Sequence, residues 1–261
     1  MPIAMRRRLM WIETRVLPRG WSDVILQLLL FLAAFALYQA VRGVVNAGDT
    51  YKPFGDATRI IDLERVLHVF VEPNVQTWAS GRHWLMDLAD WTYLNAHDLV
   101  TFGALVFIYL RRNDSFYCVR NMFMIAMGIA LIGYALYPTA PPRLMPQWGF
   151  TDSISRFLGT PHVDDGPAKT FLNFYAAVPS MHVCFAVMIG LPMSRLVKHW
   201  PARLAWRLYP LLISFVVVAT GNHYLFDVFL GAVTAAVSWL LAHQLLARAR
   251  PGAWTFGQAT T

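Results

Sequence analysis

Residues 205–247, AWRLYPLLISFVVVATGNHYLFDVFLGAVTAAVSWLLAHQLLA, form two long apolar runs joined by Gly221-Asn222-His223-Tyr224. A helix needs about 20 mainly apolar residues to cross a bilayer. The two runs, about 205–222 and 226–247, have that length, and almost nothing separates them. The turn between them must therefore lie at a membrane surface, with His223 and Asp227 at its edge. Ionisable side chains at membrane depth are costly, so these two point to function.

Four further stretches qualify as spans: about 23–45, 91–110, 119–138 and 178–197. The expectation is an all-α, six-span transmembrane bundle forming a single membrane domain over 1–261. Composition agrees. The chain is 57% hydrophobic and 14% charged, with mean hydropathy +0.43, whereas soluble domains carry about 25% charged residues. Net charge +7 raises the question of nucleic acid, which needs basic residues gathered on one face. Here they sit in short clusters between apolar runs, so no nucleic-acid partner is expected. Arg6, Arg7 and Arg8 resemble the start of a signal peptide. The run behind them is too long for one, which favours a retained anchor. Cys118 and Cys184 match no zinc or redox spacing and read as apolar fillers, without a disulfide.

Between the first two spans, residues 56–80 place Ile60, Leu63, Leu67 and Phe70 at helical spacing, with Arg59, Asp62, Glu64 and Arg65 on other faces. That pattern predicts an amphipathic interfacial helix. A soluble helix capping the bundle fits it equally. In the six-span arrangement, fourteen Lys and Arg residues fall on one side and eight on the other, the first group packed against span ends. By the positive-inside rule both termini are cytoplasmic, and the loop 139–177 lies outside.

Three unusual segments then meet on the outer side: Tyr137 to Arg143, Val178 to His182, and Thr220 to Asp227. His223 and Asp227, four apart on a helix, would share a face. The carboxylate could then orient one imidazole nitrogen and leave the other as nucleophile or base. A structural pair or half of a metal site are the alternatives, but no further ligands complete a metal set and none is expected. His182 follows Ser180 at a helix start, where N–H groups and the helix dipole favour an anion. A cap or buried polar contact is the plainer reading. Arg143 offers a planar fork suited to phosphate, or else a snorkelling interfacial charge.

These segments resemble a known family. PSMH at 179–182 and HYLFD at 223–227 are similar to the second and third motifs of the type 2 phosphatidic acid phosphatase (PAP2) superfamily. PTAPPR at 138–143, VPSMH and GNHY more closely resemble its inositol phosphorylceramide synthase branch. The likeness runs from about Leu63 to the sixth span. It implies that His223 attacks phosphorus, Asp227 orients it, and His182 protonates the departing oxygen. Arg143 and Ser180 would hold the phosphate. Two departures stand out. The family's usual lysine seven residues before Arg143 is Leu136 here, and its usual arginine six before His223 is Val217. Lys169 in the outer loop is the candidate replacement for one phosphate-binding charge; a solvated loop lysine is the alternative. His97 with Asp98 could line the site or pair within the bundle, the pair being favoured, and His162, Asp164 and Asp165 could touch a head group, a solvated loop being favoured.

The expected function is thus a multi-pass plasma (inner) membrane phosphatase or phosphotransferase. It would act on lipid phosphates through a phosphohistidine at the extracytoplasmic face, without cofactor. Its partners would be a lipid phosphate or phospholipid, water or an alcohol acceptor, and the bilayer. The alternatives are an inositol-phosphate (polyol-phosphate) head-group transferase, or a non-catalytic lipid-binding or transport protein on the same fold.

Overall fold

The computed structural model describes residues 17–46, 51–160 and 177–246. They form an all-α bundle. Its helices are α1 (Gly20–Asn46), α2 (Lys52–Val66), α3 (Glu72–Ser80), α4 (His83–Trp91), α5 (His97–Arg111) and α6 (Asn113–Leu136). A short α7 (Ser153–Leu158) precedes α8 (Met181–Leu196), α9 (Trp200–Ala219) and α10 (Leu225–Leu240). One wide π turn, Thr92–Ala96, makes α4 and α5 continuous, and a second, Leu241–Leu246, extends α10.

Five helical stretches are long and apolar enough to cross a membrane: Gly20–Leu37, His83–Arg111, Asn113–Leu136, Trp200–Ala219 and Leu225–Gln244. The run expected at 178–197 is helical only over the 16 residues of α8. At about 1.5 Å per residue this helix is nearer 24 Å than the roughly 30 Å of a hydrocarbon core. Its place explains the shortness. It packs against α5, α6, α9 and α10 at the centre of the bundle, and residues 178–180 before it are not helical. Cys118, Met122, Cys184, Met188 and Ala235 pack together where α6, α8 and α10 meet, and both cysteines are free thiols.

α1 lies at the edge, packed against α6, with Leu28, Phe31 and Leu32 more than half exposed, as lipid-facing residues would be. One polar knot ties it down: Asp23 accepts from Tyr109 Oη at 2.8 Å and Tyr117 Oη at 2.7 Å.

Residues 56–80 are two helices rather than one. α2 closes with Val69 N–H bonded to Glu64 O (2.9 Å) and His68 N–H to Arg65 O (3.1 Å), His68 adopting φ 58°. That is a left-handed C-terminal closure made without glycine. The buried face of α2 carries Asp56, Ala57, Ile60, Ile61 and Glu64, while Leu63 and Leu67 are 41% and 59% exposed. Glu64, expected on a face other than that of Ile60, is buried along with it.

Candidate active site

The loop from Thr220 to Tyr224 is held by its own backbone. Gly221 turns the chain at φ +67°, and a Cβ there would press on Gln76 Nε2 at 2.7 Å. Glycine suits both demands. Asn222 and His223 N–H groups then both reach Val217 O, at 2.9 and 3.1 Å. α10 begins at Leu225, so His223 precedes the helix instead of riding on it, which corrects the expected shared helical face. Asp227 closes the first turn of α10, its Oδ2 accepting from Tyr224 N–H at 2.9 Å. The same oxygen lies 3.4 Å from His223 Nδ1, a contact that lacks hydrogen-bond alignment. Both side chains are buried, and burial lowers the His223 pKa to about 4, opposed by the Ala177 backbone carbonyl. The imidazole is therefore neutral near pH 7, the form in which a ring nitrogen carries a lone pair.

Ser180 caps α8, its Oγ facing Val183 N–H at 3.4 Å. Its own N–H bonds Asp227 O at 3.1 Å, joining the α8 and α10 starts directly. Gly231 makes that approach possible, because a Cβ there would collide with the Ser180 carbonyl. In the first turn of α8, the His182 ring lies 5.7 Å from that of His223, inclined at 60°. Tyr93, on the π turn between α4 and α5, stacks on the His182 ring at 4.5 Å.

Arg143 sits in a single turn, Pro142–Leu144, and is buried. Its N–H bonds Gly221 O at 2.7 Å, so it is anchored to the His223 loop by the main chain. Its Nε donates to Asn222 Oδ1 at 3.0 Å, and Nη1 lies 3.5 Å from Asp152 Oδ2. The guanidinium is thus oriented before any anion arrives. The structure brings together His182, His223, Asp227, Ser180 and Arg143. Lys169, like His162, Asp164 and Asp165, lies outside the described residues.

The chain matches the PAP2 superfamily over residues 58–241, a range that holds every one of these segments. It belongs to the PAP2 superfamily. Comparison with curated proteins and with solved structures returned no match. Within this PAP2 site the structure adds residues that sequence reasoning gave no role. Asn222 and Asp152 hold the arginine. Of the two readings for His97, lining the site fits: its buried ring lies 5.3 Å from that of His182, and Nδ1 lies 2.9 Å from Tyr209 Oη, while Asp98 is exposed. The asparagine could have been found, since it precedes His223 in a turn too short to turn its amide away.

Proposed function

We propose that this PAP2 protein is an integral-membrane lipid-phosphate phosphatase or phosphotransferase that works through a phosphohistidine on His223 at the extracytoplasmic face. The observation that carries the reading is the pair of rings 5.7 Å apart, His182 and His223, beside an arginine already oriented by Asn222. Phosphoryl transfer depends chiefly on in-line placement and charge neutralisation, and those are the functions these residues can serve.

In the first half-reaction a His223 ring nitrogen attacks phosphorus and the ester P–O bond breaks. His182, protonated once the substrate's negative charge lies beside it, gives its proton to the departing alkoxide oxygen. In the second, the oxygen of water or an alcohol attacks phosphorus and returns a proton to His182, and the P–N bond breaks to restore His223. Asp227 orients the His223 ring, the 3.4 Å contact tightening as charge develops. Arg143 and the Ser180 hydroxyl hold the phosphoryl oxygens. Lys169 is a further candidate for that task.

The same reading takes α8 as a sixth, central span, α2 and α3 as interfacial helices, both termini as cytoplasmic and the loop 139–177 as external. Single cysteines placed in that loop should label from outside intact cells. Labelling only after permeabilisation would reverse the orientation.

PTAPPR and GNHY support testing an inositol-phosphate or other polyol-phosphate head-group transferase as the second reading. The deciding experiment incubates purified protein with lipid phosphates and phosphatidylinositol, with and without excess inositol or glycerol. Released phosphate supports the phosphatase. A new phosphodiester formed every time, with no phosphate released, supports the transferase. No turnover with any lipid would remove both and leave a lipid-binding protein.

A further inference from the structure

Three carboxylates meet the first turn of α10. Asp227 Oδ2 accepts from Tyr224 N–H at 2.9 Å, Glu72 Oε1 from Leu225 N–H at 2.9 Å, and Glu64 Oε1 from Phe226 N–H at 2.7 Å. A helix leaves its first four N–H groups unpaired, and one capping side chain commonly satisfies one or two of them. Here three successive donors are taken by acids from α10, α3 and α2. Glu64 and Glu72 are 2% and 0% exposed, and the second oxygen of each, Oε2, has no fixed partner. Among the described residues no Lys or Arg forms an ion pair with either. The titratable groups facing them are each other, Asp227 of α10 and the Tyr224 phenol. Two neighbouring buried carboxylates without a cation are strongly disfavoured when both are ionised. One proton between them removes the repulsion and turns an unpaired oxygen on each into half of a hydrogen bond.

We propose that Glu64 and Glu72 share one proton and act as a single positioning clamp on the start of α10, fixing Asp227 and, through it, His223. The positioning half of this inference rests on the phosphohistidine reading; the shared proton does not. Neither acid need touch substrate, since both are spent on main-chain N–H groups. Burial first, and the Glu72 carboxyl second, raise the Glu64 pKa to about 9.

The test uses the full-length protein in detergent, with Glu64→Gln, Glu72→Gln and the two alanine variants. An amide keeps the acceptor oxygen and supplies a donor that cannot ionise, so it stands in for the protonated partner. The folded state holds a proton that the unfolded chain releases near the ordinary value of 4.5. This contribution to stability is therefore complete below about 4.5 and lost as pH rises through about 9. The wild-type unfolding midpoint should fall between these pH values relative to that of Glu64→Gln. At pH 7 the Gln variants should keep kcat within about twofold, whereas each Ala variant loses roughly tenfold or more with KM little changed, as expected for a lost cap felt at the nucleophile. Midpoints of wild type and Glu64→Gln that run parallel from pH 5 to 9 would overturn the shared proton. Unchanged kcat in the Ala variants would overturn the positioning role, and so would a wild type without turnover, the result that also ends the catalytic reading. The midpoint comparison needs no turnover and decides the shared proton in every case.

Discussion

Arg143 donates from Nε to Asn222 Oδ1 at 3.0 Å while its own N–H holds Gly221 O at 2.7 Å. The guanidinium and the His223 loop are thereby one unit, since Asn222 and His223 are neighbours in the chain. Asn222→Ala should lower kcat/KM by roughly tenfold, the scale of a hydrogen bond to a charged group. Arg143→Lys should cost more, because an ammonium cannot present a planar fork. Asn222 acts through the arginine, so adding Asn222→Ala to Arg143→Ala should do little further. Additive losses in that cycle would separate the two residues.

The placement of His182 predicts a leaving-group effect. A general acid matters most when the departing oxygen is a poor leaving group. His182→Ala should slow an alkyl ester by at least about a hundredfold, and a nitrophenyl ester far less. Equal losses on both would remove the proton-donor role. His223→Ala should show neither turnover nor covalent phosphate labelling, and labelling that persisted would move the nucleophile elsewhere.

Gly231 tests the joint between α8 and α10. Its replacement by Ala puts a methyl group against the Ser180 carbonyl, and that oxygen is fixed because it also accepts Cys184 N–H at 3.0 Å. The helices must part, at a cost of about 1–3 kcal/mol. The Ser180 N–H to Asp227 O bond would stretch with them. We expect a lower unfolding midpoint together with lower kcat, measured on detergent-purified protein. An unchanged midpoint would mean that the joint is slack.

Five of the six expected spans were legible because length and apolarity suffice to mark a helix able to cross a membrane. Arg143, Ser180, His182, His223 and Asp227 were legible because polar residues at span ends stand out. Glu64 was misread for a physical reason. Its spacing relative to Ile60, Leu63 and Leu67 does not reveal the inner face of α2, which is set by what packs against it: Ile60 is buried while Leu63 and Leu67 are 41% and 59% exposed. The polar residue then lies within, where it finds N–H groups. The i, i+4 spacing of His223 and Asp227 could not say whether the helix begins before or after the histidine; the structure starts it after. His97 reaches His182 across a π turn, a local change of pitch that hydrophobic periodicity does not encode.

On the phosphohistidine reading, burial of His223 sets the acid limb of activity. Its folded pKa of about 4 lies below the ordinary 6.5, so the folded state resists a proton that the unfolded chain accepts. Stability from this source is complete above about pH 6.5 and is lost as pH falls through about 4. The nucleophile follows the same curve, since a protonated ring nitrogen cannot attack phosphorus. A phosphate monoester has its own ionisation near pH 6, which would hide the effect. A phosphodiester has none in that window, so it is the substrate to use. With it, kcat/KM in the free enzyme should hold down to about pH 5 and fall below about pH 4. A limb centred near 6.5 would mean that water reaches His223 freely, and that the buried site drawn by Asp227, Ser180 and Arg143 opens before catalysis.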